Sequence, residues 1–257
     1  MCYCVFDTET IGLDKPFCYN IGYEIKVDNF TLLRREFIVE QIWHNSELFS
    51  TAYYADKRPI YIQAMRAHNA SMEKFGYITQ KMIRDFRNYN VTAAYAYNSS
   101  FDERVFNYNC EWFKCINPFD DVPIFDIRAY AQKFLCVSKE FFAYCEKNER
   151  FTENMNYSTT AETIYGFIRG NPQFIEAHTA LDDSRIEGEI LWECIQKGAQ
   201  WETKYFVPNS IPRIVPQRFT VKDKDSKTEL FSCTFYSKRF TNERNTITLQ
   251  TNVKETT

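Results

Sequence analysis

The run Cys2-Tyr3-Cys4-Val5-Phe6-Asp7-Thr8 constrains this chain more than any other feature. It is apolar on both faces of the strand it predicts, and such a strand needs cover on each side, as a central strand of an α/β sheet has. It then ends in acids. Asp7 and Glu9 stand two apart, so on a strand their side chains share one face. Two carboxylates in that position raise the free energy unless cations or strong donors compensate them, or unless both are simply solvated.

The rest of the chain supports a sheet around that strand. Residues 19–27 and 32–39 read as two more strands about a turn at Asp28-Asn29, and 91–97 as a further short apolar one. Residues 46–90 carry Met65, Met72, Phe75, Ile78, Met82, Ile83 and Phe86 at helical spacings and read as helix. Pro123-Ile124-Phe125 predicts a strand before a helix with Tyr130, Phe134 and Leu135, and helical signals return over 161–168 and 180–195. Strands alternating with helices predict an α/β sheet, mostly parallel after an antiparallel start. Residues 136–157 are polar, aromatic and irregular, and read as an insertion. From about Trp201 the character changes: Pro208, Pro212 and Pro216 read as a linker, and 228–240 alternates like a strand or hairpin. The expected division is residues 1–200 and a β-rich extension over 201–257.

Composition closes off several function classes. A net charge of −3 argues against coating long nucleic acids by bulk attraction, though not against holding one end, where bound divalent cations would supply positive charge locally. No run approaches the roughly 20 apolar residues a membrane span needs. The opening residues lack a basic region and run straight into acids, so no signal peptide is expected and a cytoplasmic location is. Nine scattered Cys without CxxC pairs read as reduced, mostly buried thiols rather than as a disulfide framework or a zinc site.

Two further motifs join Asp7 and Glu9. Asn98-Ser99-Ser100-Phe101-Asp102 follows the strand at 91–97, and Ser99 with Asp102 three residues on also fits an ordinary helix cap. Both readings put Asp102 at the C-terminal end of a strand, where α/β sheets bind ligands. His178-Thr179-Ala180-Leu181-Asp182-Asp183 opens the helix at 180–195, and taken alone His178 reads as a core or surface histidine; His44 and His68 have no comparable setting. Helix geometry separates the neighbouring acids: Asp183, Ile186 and Ile190 share one stripe facing the core, whereas Asp182 turns about 100° away.

In this order along the chain, Asp-x-Glu, Asn-x-x-Phe-Asp and His-x-Ala-x-x-Asp resemble the DEDDh 3′→5′ exonucleases, a family that includes polymerase proofreading subunits and ribonuclease T. The resemblance covers about residues 1–198, and the run from Phe125 to Ala131 looks like that family's Asp-Thr-Leu segment. A tyrosine-type variant would need Tyr where Thr179 stands. The resemblance implies a ribonuclease-H-like mixed sheet flanked by helices, with a small β-rich C-terminal appendage here. It implies hydrolysis of nucleic-acid phosphodiester bonds from the 3′ end by a two-metal mechanism with Mg²⁺ or Mn²⁺, releasing nucleoside monophosphates. Carried over, Asp7 would bridge two ions, Glu9 and Asp183 would complete the first site, and Asp102 would hold the second ion through water. His178 would be the general base. Thr10, Leu13 and Asn98 would line the terminal nucleotide, with Leu13 a wedge against the last base. The partner implied is single-stranded or 3′-end DNA or RNA, no membrane is expected, and the oligomeric state stays open. The alternative is an idle copy of the fold that binds nucleic acid or a protein. The insertion at 136–157 and the tail after 201 have no counterpart in the resemblance; their aromatic and Lys content suits base stacking and phosphate contact, or packing.

Overall fold

A computed structural model describes residues 1–206, 213–222 and 229–239. Three long strands open the chain, β1 (Cys2–Thr10), β2 (Cys18–Val27) and β3 (Phe30–Val39), as an antiparallel meander. After them come the short helices α1 (Glu40–Trp43) and α2 (Ser46–Phe49), a 3₁₀ turn at Ala55–Lys57, α3 (Arg58–Arg66), β4 (Ser71–Glu73) and α4 (Phe75–Tyr89). Next are β5 (Ala93–Ala96), α5 (Ser100–Phe113), β6 (Ile124–Asp126), α6 (Ile127–Phe134) and α7 (Lys139–Lys147). Then α8 (Ala161–Arg169), α9 (Ala180–Gln196) and a hairpin of β7 (Arg213–Lys222) and β8 (Glu229–Arg239) complete the described elements.

The strand order β4-β3-β2-β1-β5-β6 makes one mixed sheet, with β5 and β6 parallel to β1. This is the α/β class expected, a mixed sheet flanked by helices, with a two-stranded β element later in the chain. β1 lies inside the sheet, and Tyr3, Cys4, Val5 and Phe6 are fully buried, as an apolar run with no polar face requires.

The stretch 46–90 departs from a plain helical reading. It is broken by the 3₁₀ turn and by β4, which adds a parallel edge strand beside β3 through Phe37 to Val39. Met72 lies in that strand; its helical spacing from Phe75 is coincidental. Within 136–157, where irregular structure was expected, α7 forms a helix. Pro216 sits inside β7 opposite Tyr236 rather than in a linker, while Pro208 and Pro212 lie outside the described residues.

Two compact units divide the chain. One comprises residues 1–141 and 159–207 and holds the whole six-stranded sheet; the other comprises 142–158 with the C-terminal residues from 208. In the second, Tyr157 stacks on Phe142 at 4.8 Å and donates its hydroxyl to Glu146 Oε1 at 2.5 Å. Among the described residues no helix is long and apolar enough to cross a membrane, and eight cysteines are free thiols.

Two helices cover opposite faces of β1. α5 packs on the Phe6 face, with Phe106 edge-on to Phe6 at 5.8 Å. α9 packs on the Val5 face, where a Cβ on Gly188 would stand 3.6 Å from Val5 Cγ2. The start of α9 lies directly on the backbone of β2: a Cβ on Gly22 would fall 2.1 Å from the Leu181 nitrogen and 2.2 Å from the Ala180 carbonyl carbon. Only glycine permits that approach. Asn20, two residues earlier on β2, accepts the Ala180 N–H at 2.8 Å and donates to Glu36 Oε1 and the Phe37 carbonyl. The first turn of α9 is therefore fixed to β2 both by contact and by a hydrogen bond.

Candidate metal centre

Pairing of β1 with β5 ends at Val5–Tyr95, so Asp7 and Glu9 project past the end of β5. Asp7 pairs with Gly22 across β1–β2, which sets it beside the anchored start of α9. Thr8, on the other face of the strand, donates its hydroxyl to Asp102 Oδ1 at 2.7 Å. Asp102 thus reaches the strand end from α5, and Asp183 reaches it from α9. Asp102 does not behave as the alternative cap: Ser99, which precedes α5, makes no side-chain capping bond, and Asp102 is only 2% exposed.

α9 begins at Ala180, with Asp183 buried and Asp182 exposed. Asp182 accepts the Thr179 hydroxyl at 3.0 Å at the helix start. His178 precedes the helix in a left-handed conformation, φ 53°, and hangs from the loop rather than the helix. Ligand atoms of Glu9, His178 and Asp183 lie within 4.8 Å of one another. Asp7 and Asp102 fall outside that triplet but act on it electrostatically.

The electrostatics are those of acids crowded without compensation. Burial pushes Asp7 up to about 7. Glu9 rises to about 10, first by burial and then through Asp7, Asp183, Asp102 and Glu176. Asp183 rises to about 9 by burial, then through Asp7 and Glu176. Burial, then Asp7, holds Asp102 well above the usual carboxylate range. Two buried acids elsewhere are treated differently. Glu24 is met by Lys26 at 3.1 Å and Arg34 at 2.5 Å, and Asp85 by Arg35 at 3.0 Å. At the end of β1 the strongest charged neighbours of Glu9 are other carboxylates, and Asp183 Oδ1 is buried with no hydrogen-bond partner. Hard oxygen donors in excess, one of them unpartnered, fit a divalent cation of the Mg²⁺ or Mn²⁺ kind.

Two more acids belong to the cluster and were not singled out from the sequence. Glu187, one turn after Asp183 on α9, is 4% exposed and accepts the Tyr97 N–H at 3.2 Å. Burial, then Asp7, Asp102 and Asp183, drives it well above the carboxylate range. Its signal was present, because a residue four after Asp183 shares its helix face. Glu176 rises to about 7 by burial, then through Glu162 and Asp7, and lies 4.0 Å from His178 Nδ1. It stands in a loop without periodicity, so nothing in the sequence marks it. Burial and then Lys57 lower His178, which favours the neutral imidazole.

The residues expected to line the terminal nucleotide are found in different states. Thr10 donates its hydroxyl to the Gly12 carbonyl at 3.1 Å, and Leu13 is 70% exposed on the same β1–β2 loop. Asn98 is exposed and left-handed, φ 61°, and its N–H donates to Asp126 Oδ1 at 2.9 Å. Asp126 also caps α6 by accepting the Arg128 N–H. Asn98 therefore joins the ends of β5 and β6, with its side chain outward.

No family model matches the chain, and no curated protein matches it. Among solved structures, it is similar to exonuclease X in complex with 5′-overhanging duplex DNA, at 14% identity and a TM-score of 0.38, covering 76% of this chain and 92% of that one. At that identity, the chemistry of the site rests on this chain's own side chains.

Proposed function

We propose that the protein is a metal-dependent 3′→5′ exonuclease that hydrolyses phosphodiester bonds and releases nucleoside monophosphates. The observation that carries this reading is the convergence of Asp7, Glu9, Asp102 and Asp183 on one strand end with acids as neighbours, in a protein that pairs two of its other buried acids, Glu24 and Asp85, with cations. Buried acids that repel one another are retained at functional sites far more readily than in structural ones.

Asp7, Glu9 and Asp183 would hold one Mg²⁺ or Mn²⁺ ion, and Asp7 with Asp102 a second. When bound, the ions supply the positive charge that favours attack by water at phosphorus and departure of the 3′ oxygen. His178, neutral and half-buried beside Glu9 and Asp183, accepts the proton of the attacking water. A general base of this kind contributes about 10²- to 10⁴-fold. Thr8 keeps Asp102 turned towards the strand end through its 2.7 Å hydrogen bond. Leu13, exposed on the β1–β2 loop, would pack on the terminal base.

The test is digestion of a 5′-labelled oligonucleotide. Mg²⁺ or Mn²⁺ should give a descending ladder and EDTA none, with arms of single-stranded DNA, duplex DNA and RNA assigning the substrate. Immediate release of labelled mononucleotide would reverse the polarity, and an unaltered substrate in every arm would leave the fold as an idle binding module.

A further inference from the structure

A base carried on a loop works only if its nitrogen is held in one direction, and His178 has two free side-chain torsions and no helix of its own. Its restraint comes from a distant part of the chain. The ring of Tyr54 lies flat on the imidazole, with centroids 4.3 Å apart and planes 13° from parallel. The Tyr61 hydroxyl donates to the His178 carbonyl at 3.3 Å, across 117 residues of sequence. Both tyrosines are themselves fixed. Tyr54 opens the 3₁₀ turn, where its carbonyl accepts the Lys57 N–H at 3.0 Å, and Tyr53 packs edge-on to it at 4.8 Å. Tyr61 is fully buried between Tyr19 and Trp43.

We infer that Tyr54 is the positioning residue of His178, and that the segment from Tyr54 to Tyr61 clasps the loop that carries the base. The inference rests on the reading of His178 as the base. Stacking suits that role because it engages the face of the imidazole and leaves both ring nitrogens free at its edge. A hydrogen bond to the proton-accepting nitrogen would restrain the ring equally well but would occupy the lone pair that the chemistry needs. Tyr61 complements the stack by holding the loop backbone, so ring and main chain are gripped separately. Burial and then Glu9 push the Tyr54 hydroxyl up to about 12, consistent with a ring seated against the acids. Removing one aromatic stack is expected to lower the population of the productive orientation by about 10-fold.

The test uses the full chain with Tyr54→Phe, Tyr54→Leu, His178→Ala and the double substitution of Tyr54→Leu with His178→Ala. The imidazole Cε1–H resonance of His178, assigned by its loss in His178→Ala, should be shifted upfield by the stacked ring in the wild type and in Tyr54→Phe. In Tyr54→Leu it should return to the position of an unstacked histidine. The same variant should lose about 10-fold in kcat with KM unchanged, Tyr54→Phe should restore the rate, and Tyr54→Leu should cause no further loss once His178 is gone. An unmoved resonance in Tyr54→Leu, or an equal loss in the His178→Ala background, overturns the proposal. A wild type that cleaves no substrate overturns the exonuclease reading instead, and the resonance still decides whether the stack holds the ring.

Discussion

Replacing Gly22 with alanine should damage the site without touching any acid. The added Cβ would meet the backbone of α9 at 2.1 Å from the Leu181 nitrogen, 2.2 Å from the Ala180 carbonyl carbon and 2.4 Å from its oxygen. None of these is the end of a flexible side chain, so the helix start itself must move. Restoring an ordinary contact of 3.4 Å needs a retreat of about 1.3 Å. That motion strains the 2.8 Å bond from the Ala180 N–H to Asn20 and draws His178 and Asp183 away from Asp7, which is paired with Gly22. Overpacking of this sort is expected to cost about 1–3 kcal/mol, a melting-temperature fall of about 2–4 °C for each. Displacing the groups proposed to carry the reaction by about 1 Å is expected to lower the rate by about 100-fold. The assay is a thermal melt together with single-turnover cleavage. Gly76→Ala is the control, because a Cβ there meets only the Cys115 side chain at 3.5 Å and should be neutral or slightly stabilising. If Gly22→Ala melts and turns over like the wild type, α9 is not held against β2 in the way described.

Three other outcomes follow from the same geometry. Asp183→Asn should abolish detectable hydrolysis while Asp182→Asn keeps at least about a tenth of the rate, since Asp183 is buried and Asp182 is exposed; the reverse ranking in a cleavage assay would shift the motif by one residue. His178→Ala should lose about 10²- to 10⁴-fold in rate yet bind metal and melt nearly as the wild type does, and near-normal turnover would return His178 to a structural role. With metal chelated, stability should fall as pH rises. Asp7, Glu9 and Asp183 keep their protons in the fold up to about 7, 10 and 9, whereas the unfolded chain releases them near 4, so their contribution is full below that and lost as pH climbs through those values. Melting temperatures from pH 5 to 9 should decline without metal and decline less with Mg²⁺; a rise with pH in the metal-free protein would contradict the crowding of acids.

Much of this was legible in the sequence wherever a local pattern carried it. β1 could be read because a run apolar on both faces has one place to go, and its acids follow by alternation. The start of α9 could be read because the stripe Asp183, Ile186, Ile190 fixes the phase of the helix, and Glu187 was within reach of the same reasoning. β4 was hidden because three residues are too few to show a period, and Met72 stands at a helical distance from Phe75 by accident. The Ser99 cap was a sound local option that tertiary structure overrode: Thr8, on β1, supplies Asp102 with a donor from outside its own helix. Gly22, Asn20 and Tyr54 left no trace at all. Each acts on a segment more than a hundred residues away, through backbone contact, a carboxamide and a ring face, and none of those has a sequence period.

The central claim is that these acids form a divalent metal centre, and an equilibrium titration with Mn²⁺ followed by electron paramagnetic resonance tests it without any substrate. The signal of free Mn²⁺ should be lost as the wild type takes up two ions per chain, as a two-metal site requires. Protons should be released as the raised carboxylates ionise. Asp183→Asn should bind more weakly and release fewer protons, whereas Asp182→Asn should titrate as the wild type does. A wild type that leaves the free Mn²⁺ signal intact, or one that Asp183→Asn matches at every point of the titration, would contradict the account.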